Sequence, residues 1–342
     1  MTIPLRLTRA LAVAGLLAAT VLATACGSSG DDAATAASAP SGGAVKGGGG
    51  TLRIALIGNN GPTVAAKNDG SLARDLAKVG AKVQFTGQFS AFAPAAEAIN
   101  AGALDAAQGS ISSAIGALAE NPSFKVYAVQ KENPASEGVL VKDPAITSVA
   151  DLAGKKVAVN PKGTGEYLLL KALAANHVDP AKVKRVYLGA PDGAAAFGSG
   201  KVDAFAAWGD FVSTAKAKGA RLLASGGQIG SENDTIWVVS NKFYAAHPAT
   251  VKALFDNLVA HSVAEHDDPE AAVAKENTGA IKLDDAAAQQ LAATYRTSAP
   301  VTGVDATFQE RFGHVADFVA QQGVIKAGLD PKTFTVDAST LG

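Results

Sequence analysis

Few residues in this sequence are of a type that could carry out covalent or metal-assisted chemistry. The 342 residues include one cysteine, Cys26, and five histidines. Two of the histidines, His261 and His266, stand five positions apart, which is a poor helical spacing for two ligands of one metal ion. Neither a Gly-x-Ser-x-Gly nucleophile motif nor a phosphate-binding Gly-Lys-Ser/Thr motif is present. The sequence therefore predicts a binding protein rather than an enzyme, with no cofactor and no metal site.

Small and polar residues cluster in three loops, each of which follows a run of apolar residues. These loops contain Asn59 and Asn60; Gln108, Gly109, Ser110 and Ser112; and Gly163 and Thr164. Ligands of open α/β sheets bind beyond the carboxyl ends of the strands, where helix N-termini present N–H groups that attract acidic groups. Serine and threonine also cap helices when no ligand is present. Three such loops in two similar lobes favour a binding site between the lobes.

Two similar series of strands and helices position these loops. The first series has a strand over Leu52–Ile57, a helix over Thr63–Val79 and a second strand over Lys82–Phe85. The second series begins with the strand Lys156–Asn160 and continues in the same order. Strands that alternate with helices predict an α/β fold with a parallel sheet and helices on its faces.

One short pattern occurs once in each series. A helix end, a glycine, one residue of any kind and an apolar residue lead to Asp105 in the first series and to Asp203 in the second. The glycine is typical of a left-handed helix cap, and the aspartate is typical of a cap for nearby backbone donors. The pattern predicts two lobes of the same build, with a structural role for both aspartates.

The first 50 residues predict a secretory signal peptide followed by a flexible tether. Arg6 and Arg9 precede an apolar run of about 15 residues, which is shorter than the ~20 that a membrane-spanning helix needs and typical of a secretory signal. Ala23-Thr24-Ala25-Cys26 resembles a bacterial lipobox, which implies a signal peptide over residues 1–25 and a lipid on Cys26. Residues 26–50, rich in Gly, Ser and Ala, predict a flexible tether. A plain cleaved signal is the alternative.

Composition narrows the possible partners. The chain carries 30 Lys+Arg against 31 Asp+Glu, so its charge provides no reason to expect nucleic acid as a partner. A single cysteine excludes an internal disulfide framework. With 48% hydrophobic residues, the chain is too apolar for general disorder.

The segment 155–211 resembles the second lobe of the ABC-transporter solute-binding proteins for aliphatic sulfonates, taurine and nitrate. The likeness rests on the turn Lys162-Gly163-Thr164-Gly165 before a Leu-rich helix and on the ending Trp208-Gly209-Asp210-Phe211. The segments LRIALIGNNGPTVAAK and AINAGALDAAQGSISSAIGALA resemble the first lobe, and NKFYAAHP resembles the return segment. The resemblance covers roughly residues 52–331.

This resemblance implies a periplasmic-binding-protein-like (type II) fold, in which two hinged lobes close on a ligand. Lobe 1 is expected over residues 51–141 and 240–342, and lobe 2 over residues 142–239. The family's binding positions carry over onto both lobes: Asn59, Asn60, Gln108, Gly109, Ser110, Ser112, Gly163, Thr164, Trp208, Asp210, Asn233 and Thr235. The ring of Trp208 is expected to form an apolar wall of the pocket.

The function that the resemblance implies is delivery of a small organic anion, sulfonate-like or related, to an ABC importer. The expected partners are the permease and its ATPase, and the chain is expected to be a monomer anchored by lipid to the outer face of the cell membrane. Leu56-Ile57 and Ile111 depart from the pattern of sulfonate binders, so an aromatic or pyrimidine-type solute is one alternative. A ligand-sensing lipoprotein without transport is another. A pyrimidine-precursor synthase shares this fold but depends on a cysteine-rich motif, and Cys26 is the only cysteine.

Overall fold

Apolar strands alternate with helices along the body of the chain and assemble into separate sheets. The computed structural model describes residues 45–277 and 283–341. The strands are β1 (Thr51–Ile57), β2 (Lys82–Phe89), β3 (Ala106–Ser110), β4 (Phe124–Gln130), β5 (Glu137–Val141), β6 (Lys156–Val159), β7 (Lys184–Tyr187), β8 (Ala204–Trp208), β9 (Arg221–Ser225) and β10 (Thr235–Ser240).

Helices follow most of the strands and cover the faces of the sheets. They are α1 (Pro62–Asn68), α2 (Ser71–Lys78), α3 (Phe92–Asn100), α4 (Ile111–Leu118), α5 (Thr164–Ala175), α6 (Ala190–Gly198), α7 (Gly209–Ala217), α8 (Asn241–Ala246), α9 (Pro248–Asp267), α10 (Pro269–Glu276), α11 (Asp285–Thr297), α12 (Ala306–Gln321) and α13 (Pro331–Phe334). No helix in the described ranges combines the length and apolar character needed to cross a membrane.

The two sheets have the same strand order. The first is β2–β1–β3–β10–β4 and the second is β7–β6–β8–β5–β9. In each sheet the first three strands are parallel, and the remaining two run antiparallel to their neighbours. The α/β fold predicted from the alternating strands and helices is therefore confirmed, with two five-stranded sheets of matching topology. The sheets are mixed where the sequence predicts a parallel one, because β10 and β5 each enter a sheet antiparallel to both of their neighbours.

The chain crosses between the sheets twice, over residues 131–136 and 226–234. As a result β5 belongs to the second sheet and β10 to the first. The sequence places the lobe boundaries after residue 141 and before residue 240, at the far ends of these two strands. Both strands are almost wholly buried, so neither shows the alternation of exposed and buried residues that would indicate which sheet it joins.

Each of the repeated aspartates exchanges two hydrogen bonds with one residue of a neighbouring strand, in the same way in both sheets. Asp105 N–H donates to the Arg53 carbonyl at 2.8 Å, and Arg53 N–H donates back to the Asp105 carboxylate at 2.9 Å. In the second sheet Asp203 N–H donates to the Lys156 carbonyl at 2.9 Å, and Lys156 N–H donates to the Asp203 carboxylate at 2.7 Å. Each aspartate therefore ties the strand that follows it to its parallel neighbour, β3 to β1 and β8 to β6. The structural role that the sequence pattern predicts is present, but the backbone donors belong to a distant strand and do not lie nearby in the sequence.

The Asp105→Asn variant tests how much this device stabilises the first sheet. Asp105 is 5% exposed and accepts two further hydrogen bonds from the Arg53 side chain, each 2.7 Å long. An asparagine side chain has only one oxygen, so it cannot accept hydrogen bonds from Arg53 at both positions. We therefore expect the free energy of unfolding to fall by about 2 kcal/mol in urea denaturation. Asp203→Asn is the matched control with a smaller expected loss, because Asp203 is exposed and no arginine in residues 45–277 and 283–341 forms an ion pair with it. Equal losses would contradict this assignment.

One predicted helix is two helices in the structure. The sequence predicts a continuous helix over Thr63–Val79, but α1 ends at Asn68 and α2 begins at Ser71. Gly70 between them has φ +70°, a left-handed conformation that interrupts helical hydrogen bonding. The break allows α1 and α2 to pack separately against α9.

The end of the predicted tether is held by the folded body. Gly49 N–H donates to the Val79 carbonyl, and the Gly49 carbonyl accepts from the Thr250 hydroxyl, both at 2.9 Å. Ala249 N–H donates to the Gly47 carbonyl at the same distance. Residues 47–50 therefore belong to the body rather than to a free linker. Residues 1–44, which include the predicted signal peptide and Cys26, lie outside the described residues.

The C-terminal helices pack against elements of the first sheet. Helix α9 lies against α1 and α2, and α12 lies against α4. Two isolated bridges join β4 to later segments, Val129 to Thr302 and Val126 to Thr335. Trp237 on β10 is 1% exposed, and its indole N–H donates to the Thr63 hydroxyl at 3.0 Å. Its role is to pack the core of the first sheet.

Candidate functional site

A cavity of about 430 Å³ lies between the two sheets, beyond the carboxyl ends of β1, β3, β6 and β8. The first sheet contributes the ends of β1 and β3, one face of α3 along its whole length and one face of α4. The second sheet contributes residues 160–164 and Trp208, and both crossing segments complete the wall. A cavity of this volume suits a small organic solute.

Eight of the twelve residues predicted to bind the ligand line this cavity. They are Gln108, Gly109, Ser110, Gly163, Thr164, Trp208, Asn233 and Thr235. The other four, Asn59, Asn60, Ser112 and Asp210, lie outside the cavity wall. Asn60 instead contacts Asp210 across the cleft, with its amide donating to the carboxylate at 3.3 Å.

Side chains from the two sheets meet directly at the cavity. The hydroxyl oxygens of Ser110 and Thr164 are 2.8 Å apart. Lys162, in the loop after β6, forms an ion pair with Glu120, which follows α4. Together with the Asn60–Asp210 contact, these interactions hold the two lobes in contact around the cavity.

The N-terminus of α4 uses its own backbone donors. The sequence predicts that the loop Gln108–Ser112 offers N–H groups to a ligand. In the structure Ile111 N–H donates to the Asp234 carbonyl at 3.0 Å, and Ser112 N–H donates to the Asn233 side-chain oxygen at 2.9 Å. The next N–H bonds to the N-cap hydroxyl at 3.4 Å. These three N–H groups are therefore not available to a solute, which leaves the side chains of the loop to contact it.

Helices α3 and α5 do present free donors to the cavity, one helix from each sheet. No side chain caps α3 at Ala91, and within the described ranges the N–H groups of Phe92, Ala93 and Thr164 have no hydrogen-bond acceptor. All four residues line the cavity. The sequence does not single out Phe92 and Ala93, because an alanine-rich helix start without a polar cap resembles any buried helix. These two N-termini form the electropositive part of the site.

Two carboxyl groups, Glu132 and Glu137, line the cavity where the chain crosses from β4 to β5. The Glu132 oxygens accept hydrogen bonds from Ser136 at 2.5 Å and from Thr235 at 2.9 Å. Glu137 is 1% exposed and accepts from the Asn233 amide at 3.3 Å. Burial, followed by the charge of Glu132, raises the pKa of Glu137 to about 8, and burial also raises the pKa of Glu132.

The described wall of the cavity contains one basic side chain, Lys162, and its partner is Glu120. The sequence leaves open whether Lys162 contacts an anion, and the ion pair occupies its ammonium group. An anionic solute group would therefore depend on backbone N–H groups, hydroxyls and the side-chain amides that line the cavity, such as those of Gln108 and Asn160.

An apolar wall faces these polar groups. Trp208, Ile57 and Phe92 all line the cavity. The Trp208 ring packs edge-on against Phe211, with ring centroids 5.7 Å apart. Trp208 thus has a fixed position from which it can contact the apolar part of a solute.

Among the residues that the structure describes, no group of three or more His, Cys, Asp and Glu side chains is arranged to hold a metal ion. His261, one of the two histidines considered from the sequence, has its ring nitrogen 2.7 Å from the Ser71 hydroxyl. The features of the site that can act chemically are hydrogen-bond donors, carboxyl groups and an apolar wall.

Comparisons with known proteins agree on one family. A family model described as NMT1/THI5 like matches residues 93–272. A protein of Escherichia coli (strain K12) named as an aliphatic sulfonates-binding protein is 34% identical over 132 residues, which are 38% of this chain and 41% of that protein. The taurine-binding periplasmic protein of the same strain is 32% identical over 139 residues, 40% of this chain and 43% of that protein. The chain thus spans about two fifths of the length of these curated relatives.

A solved structure extends the similarity over both sheets. The alkanesulfonate-binding protein from Xanthomonas axonopodis pv. citri, bound to MOPS, has a TM-score of 0.75 and 24% identity. The match covers 84% of this chain and 98% of that chain. At this identity the likeness shows the fold, and it confirms the two-lobed periplasmic-binding-protein fold that the sequence resemblance implies.

Proposed function

Because this chain belongs to the NMT1/THI5-like family, we propose that it is an extracytoplasmic solute-binding protein that delivers a small organic anion to an ABC importer. The observation that carries this proposal is the cavity of about 430 Å³, whose wall includes the N-termini of α3 and α5 from opposite lobes, with N–H groups that have no acceptor among the described residues. Converging helix N-termini bind anions without a basic side chain. Both termini can contact one anion only while the lobes are together, so binding favours the closed arrangement.

A sulfonate is the anion that we propose. Two relatives carry sulfonate or taurine in their names, and a structural neighbour is bound to MOPS. The three sulfonate oxygens would accept from Phe92, Ala93 and Thr164 N–H groups and from the Thr164 hydroxyl. The aliphatic part would lie against Trp208.

The location and partners are part of the same proposal. A lipid on Cys26 would anchor the chain to the outer face of the cell membrane, and a permease with its ATPase would receive the solute. Cys26→Ser should then release the chain from the membrane fraction into the soluble fraction without changing solute affinity. A chain that stays in the membrane fraction would contradict the anchor.

Calorimetric titration of the purified chain with alkanesulfonates tests the binding function. We expect saturable binding, and we expect Trp208→Ala to weaken it about tenfold, because the solute loses an aromatic contact surface. Tyr187→Ala is the matched control, since Tyr187 lies on the same sheet, is 51% exposed and lies outside the cavity wall. Unchanged affinity in Trp208→Ala would remove this ring from the site.

An aromatic or pyrimidine-type solute is the second candidate. It is favoured by the apolar wall of Trp208, Ile57 and Phe92 and by Glu137, whose carboxyl group can donate a hydrogen bond when protonated. In the same titration, binding of a pyrimidine but no sulfonate would favour this candidate.

A further inference from the structure

We propose that Glu166 is a positioning residue for solute binding, although it lies outside the cavity wall. It holds the loop of residues 160–163, which joins β6 to α5, in the conformation that the cavity and the contact between the lobes both require. This positioning role rests on the proposed binding function, because the affinity for a solute is the property that it serves.

The loop 160–163 contributes both to the cavity and to the contact between the lobes. All four of its residues line the cavity of about 430 Å³. The Lys162 ammonium forms an ion pair with Glu120 of the other lobe, and a Cβ atom on Gly116 would stand 2.1 Å from the Lys162 carbonyl oxygen. A shift of this loop would therefore change the shape of the cavity and the fit between the lobes.

Lys162 adopts a strained backbone conformation. Its φ is +53°, in the left-handed region that residues with a side chain rarely adopt. Among the residues that the structure describes, His177 is the only other non-glycine residue with a positive φ, and its value is the same. His177 follows the C-terminus of α5, where a left-handed residue is typical of a helix end, whereas Lys162 lines the cavity. Such strain persists only where neighbouring groups hold it in place.

The Glu166 carboxylate holds Lys162 in this conformation. Its Oε2 atom accepts a hydrogen bond from Lys162 N–H at 2.8 Å, and this N–H has no other acceptor in the part of the chain that the structure describes. Its Oε1 atom accepts from the Arg185 guanidinium at 2.8 Å and from the Tyr187 hydroxyl at 2.7 Å. Glu166 is 3% exposed, and the Arg185 charge offsets the cost of burying its carboxylate. Arg185 alone keeps Oε1 partnered, so Tyr187→Ala leaves the Lys162 contact in place.

The rest of the loop leaves Lys162 as the residue at which it can relax. The Asn160 side-chain oxygen accepts from Gly165 N–H at 2.7 Å, which fixes the first residue of the loop to the start of α5. The ring of Pro161 fixes its own φ. Without the Glu166 contact, Lys162 would lower its free energy by leaving the left-handed region. Its carbonyl and ammonium groups would then move relative to the other lobe.

A double-mutant cycle tests this role by calorimetric titration of the purified chain with butanesulfonate. We expect Glu166→Gln to bind it about tenfold less tightly than the parent chain, because one oxygen cannot accept from Lys162 and Arg185 together and the strained residue relaxes. In a Lys162→Gly chain the left-handed conformation carries no strain, so the same Glu166→Gln change should cost no more than about twofold. Lys162→Gly itself lacks the ion pair with Glu120, so each loss is measured within its own background.

His177→Gly provides the matched control background. It relieves a φ of the same value at the other end of α5, outside the cavity wall. In this background Glu166→Gln should still cost about tenfold. A melting curve checks that each variant folds. If Glu166→Gln does not fold, Glu166→Asp replaces it with the same expected losses, because its shorter carboxylate cannot reach both partners.

The outcomes separate the positioning role from the binding function. If Glu166→Gln lowers the affinity equally in the parent and Lys162→Gly backgrounds, Glu166 has only a structural role and the inference is overturned, while the binding function stands. Unchanged affinity of Glu166→Gln in the parent background also overturns the inference alone. If the parent chain itself binds no butanesulfonate, the proposed function fails, and the positioning role fails with it.

Discussion

Gly116→Ala is expected to bind its solute about five- to 150-fold less tightly than the parent chain while folding at least as stably. Gly116 lies on α4 and faces the loop after β6, and a Cβ atom there would stand 2.1 Å from the Lys162 carbonyl oxygen. Because that atom belongs to the backbone of the other lobe, the closed arrangement must open or distort. Overpacking of this kind costs about 1–3 kcal/mol, which converts to the stated loss of affinity.

The unliganded chain can relieve this contact by separating its lobes. Alanine also favours a helix over glycine by up to about 1 kcal/mol, so the melting temperature should not fall. Small-angle scattering should report a larger radius of gyration for unliganded Gly116→Ala, and calorimetry should report the weaker binding.

Gly198→Ala is the matched control for this variant. Gly198 is the last residue of α6, and a Cβ atom there would meet no atom within 4 Å. We expect its solute affinity and its radius of gyration to match those of the parent chain. A Gly116→Ala chain with unchanged affinity would show that the contact with Lys162 does not limit closure.

The repeated parts of the fold could be predicted from the sequence because they depend on short-range patterns. Asp105 and Asp203 each follow a glycine-capped helix, and each bonds in the same way to the parallel strand beside it, β1 or β6. The loops after these strands are short, so their residues had to reach one edge of each sheet. Six of the eight predicted residues that line the cavity lie at these strand ends, whereas Asn233 and Thr235, which only the family resemblance indicated, lie where the return segment meets β10.

The other features of the site depend on contacts between distant residues. The Asn233 side chain accepts a hydrogen bond from the Ser112 backbone N–H, so this N–H is not available to a solute. The sequence around Ser112 alone does not indicate this contact. Glu132 lies in a polar crossing segment that resembles an exposed loop, and Glu137 begins the next strand, yet Asn233 of the return segment bonds to Glu137, which is buried. The contact of Gly116 with Lys162 joins two helical regions whose separate patterns contain no sign of it. Such long-range contacts decide which loop residues bind a solute and which bind the protein.

The contacts between the lobes link the solute site to closure. Ser110 and Thr164 line the cavity and also bond to each other across it. A solute anion at the N-terminus of α5 would lie beside this pair of hydroxyls, so it would stabilise the same arrangement that these hydroxyls favour. The binding proposal and the Gly116→Ala prediction therefore test one property, the free energy of lobe closure, from opposite directions.

The stability of the chain is expected to fall as the pH rises, and a second buried carboxyl cluster contributes to this fall. Glu265 on α9 is 4% exposed, and its Oε1 atom has no hydrogen-bond partner among the described residues. Burial, followed by the charge of Glu276, raises the pKa of Glu265 to about 9. Burial raises the pKa of Glu276 to about 7, although the Tyr295 hydroxyl donates to both of its oxygens at 3.0 and 2.8 Å.

The sign of this pH dependence follows from the two states. The unfolded glutamates have pKa values of about 4.3, so above that pH the folded state binds more protons than the unfolded state. The stability from each proton is complete at low pH and is lost as the pH rises through the folded pKa, by at most about 1.4 kcal/mol per pH unit.

Glu265→Gln tests this expectation, because glutamine cannot ionise and so does not lose stability in this way. The melting temperature of the variant should exceed that of the parent chain by several degrees at about pH 8.5. At about pH 5.5, where Glu265 is protonated in the folded parent, the two melting temperatures should lie much closer together. Glu270→Gln, at an exposed position on α10, is the control and should follow the parent profile. If the Glu265→Gln chain loses as much stability as the parent between these two pH values, Glu265 is ionised throughout this interval.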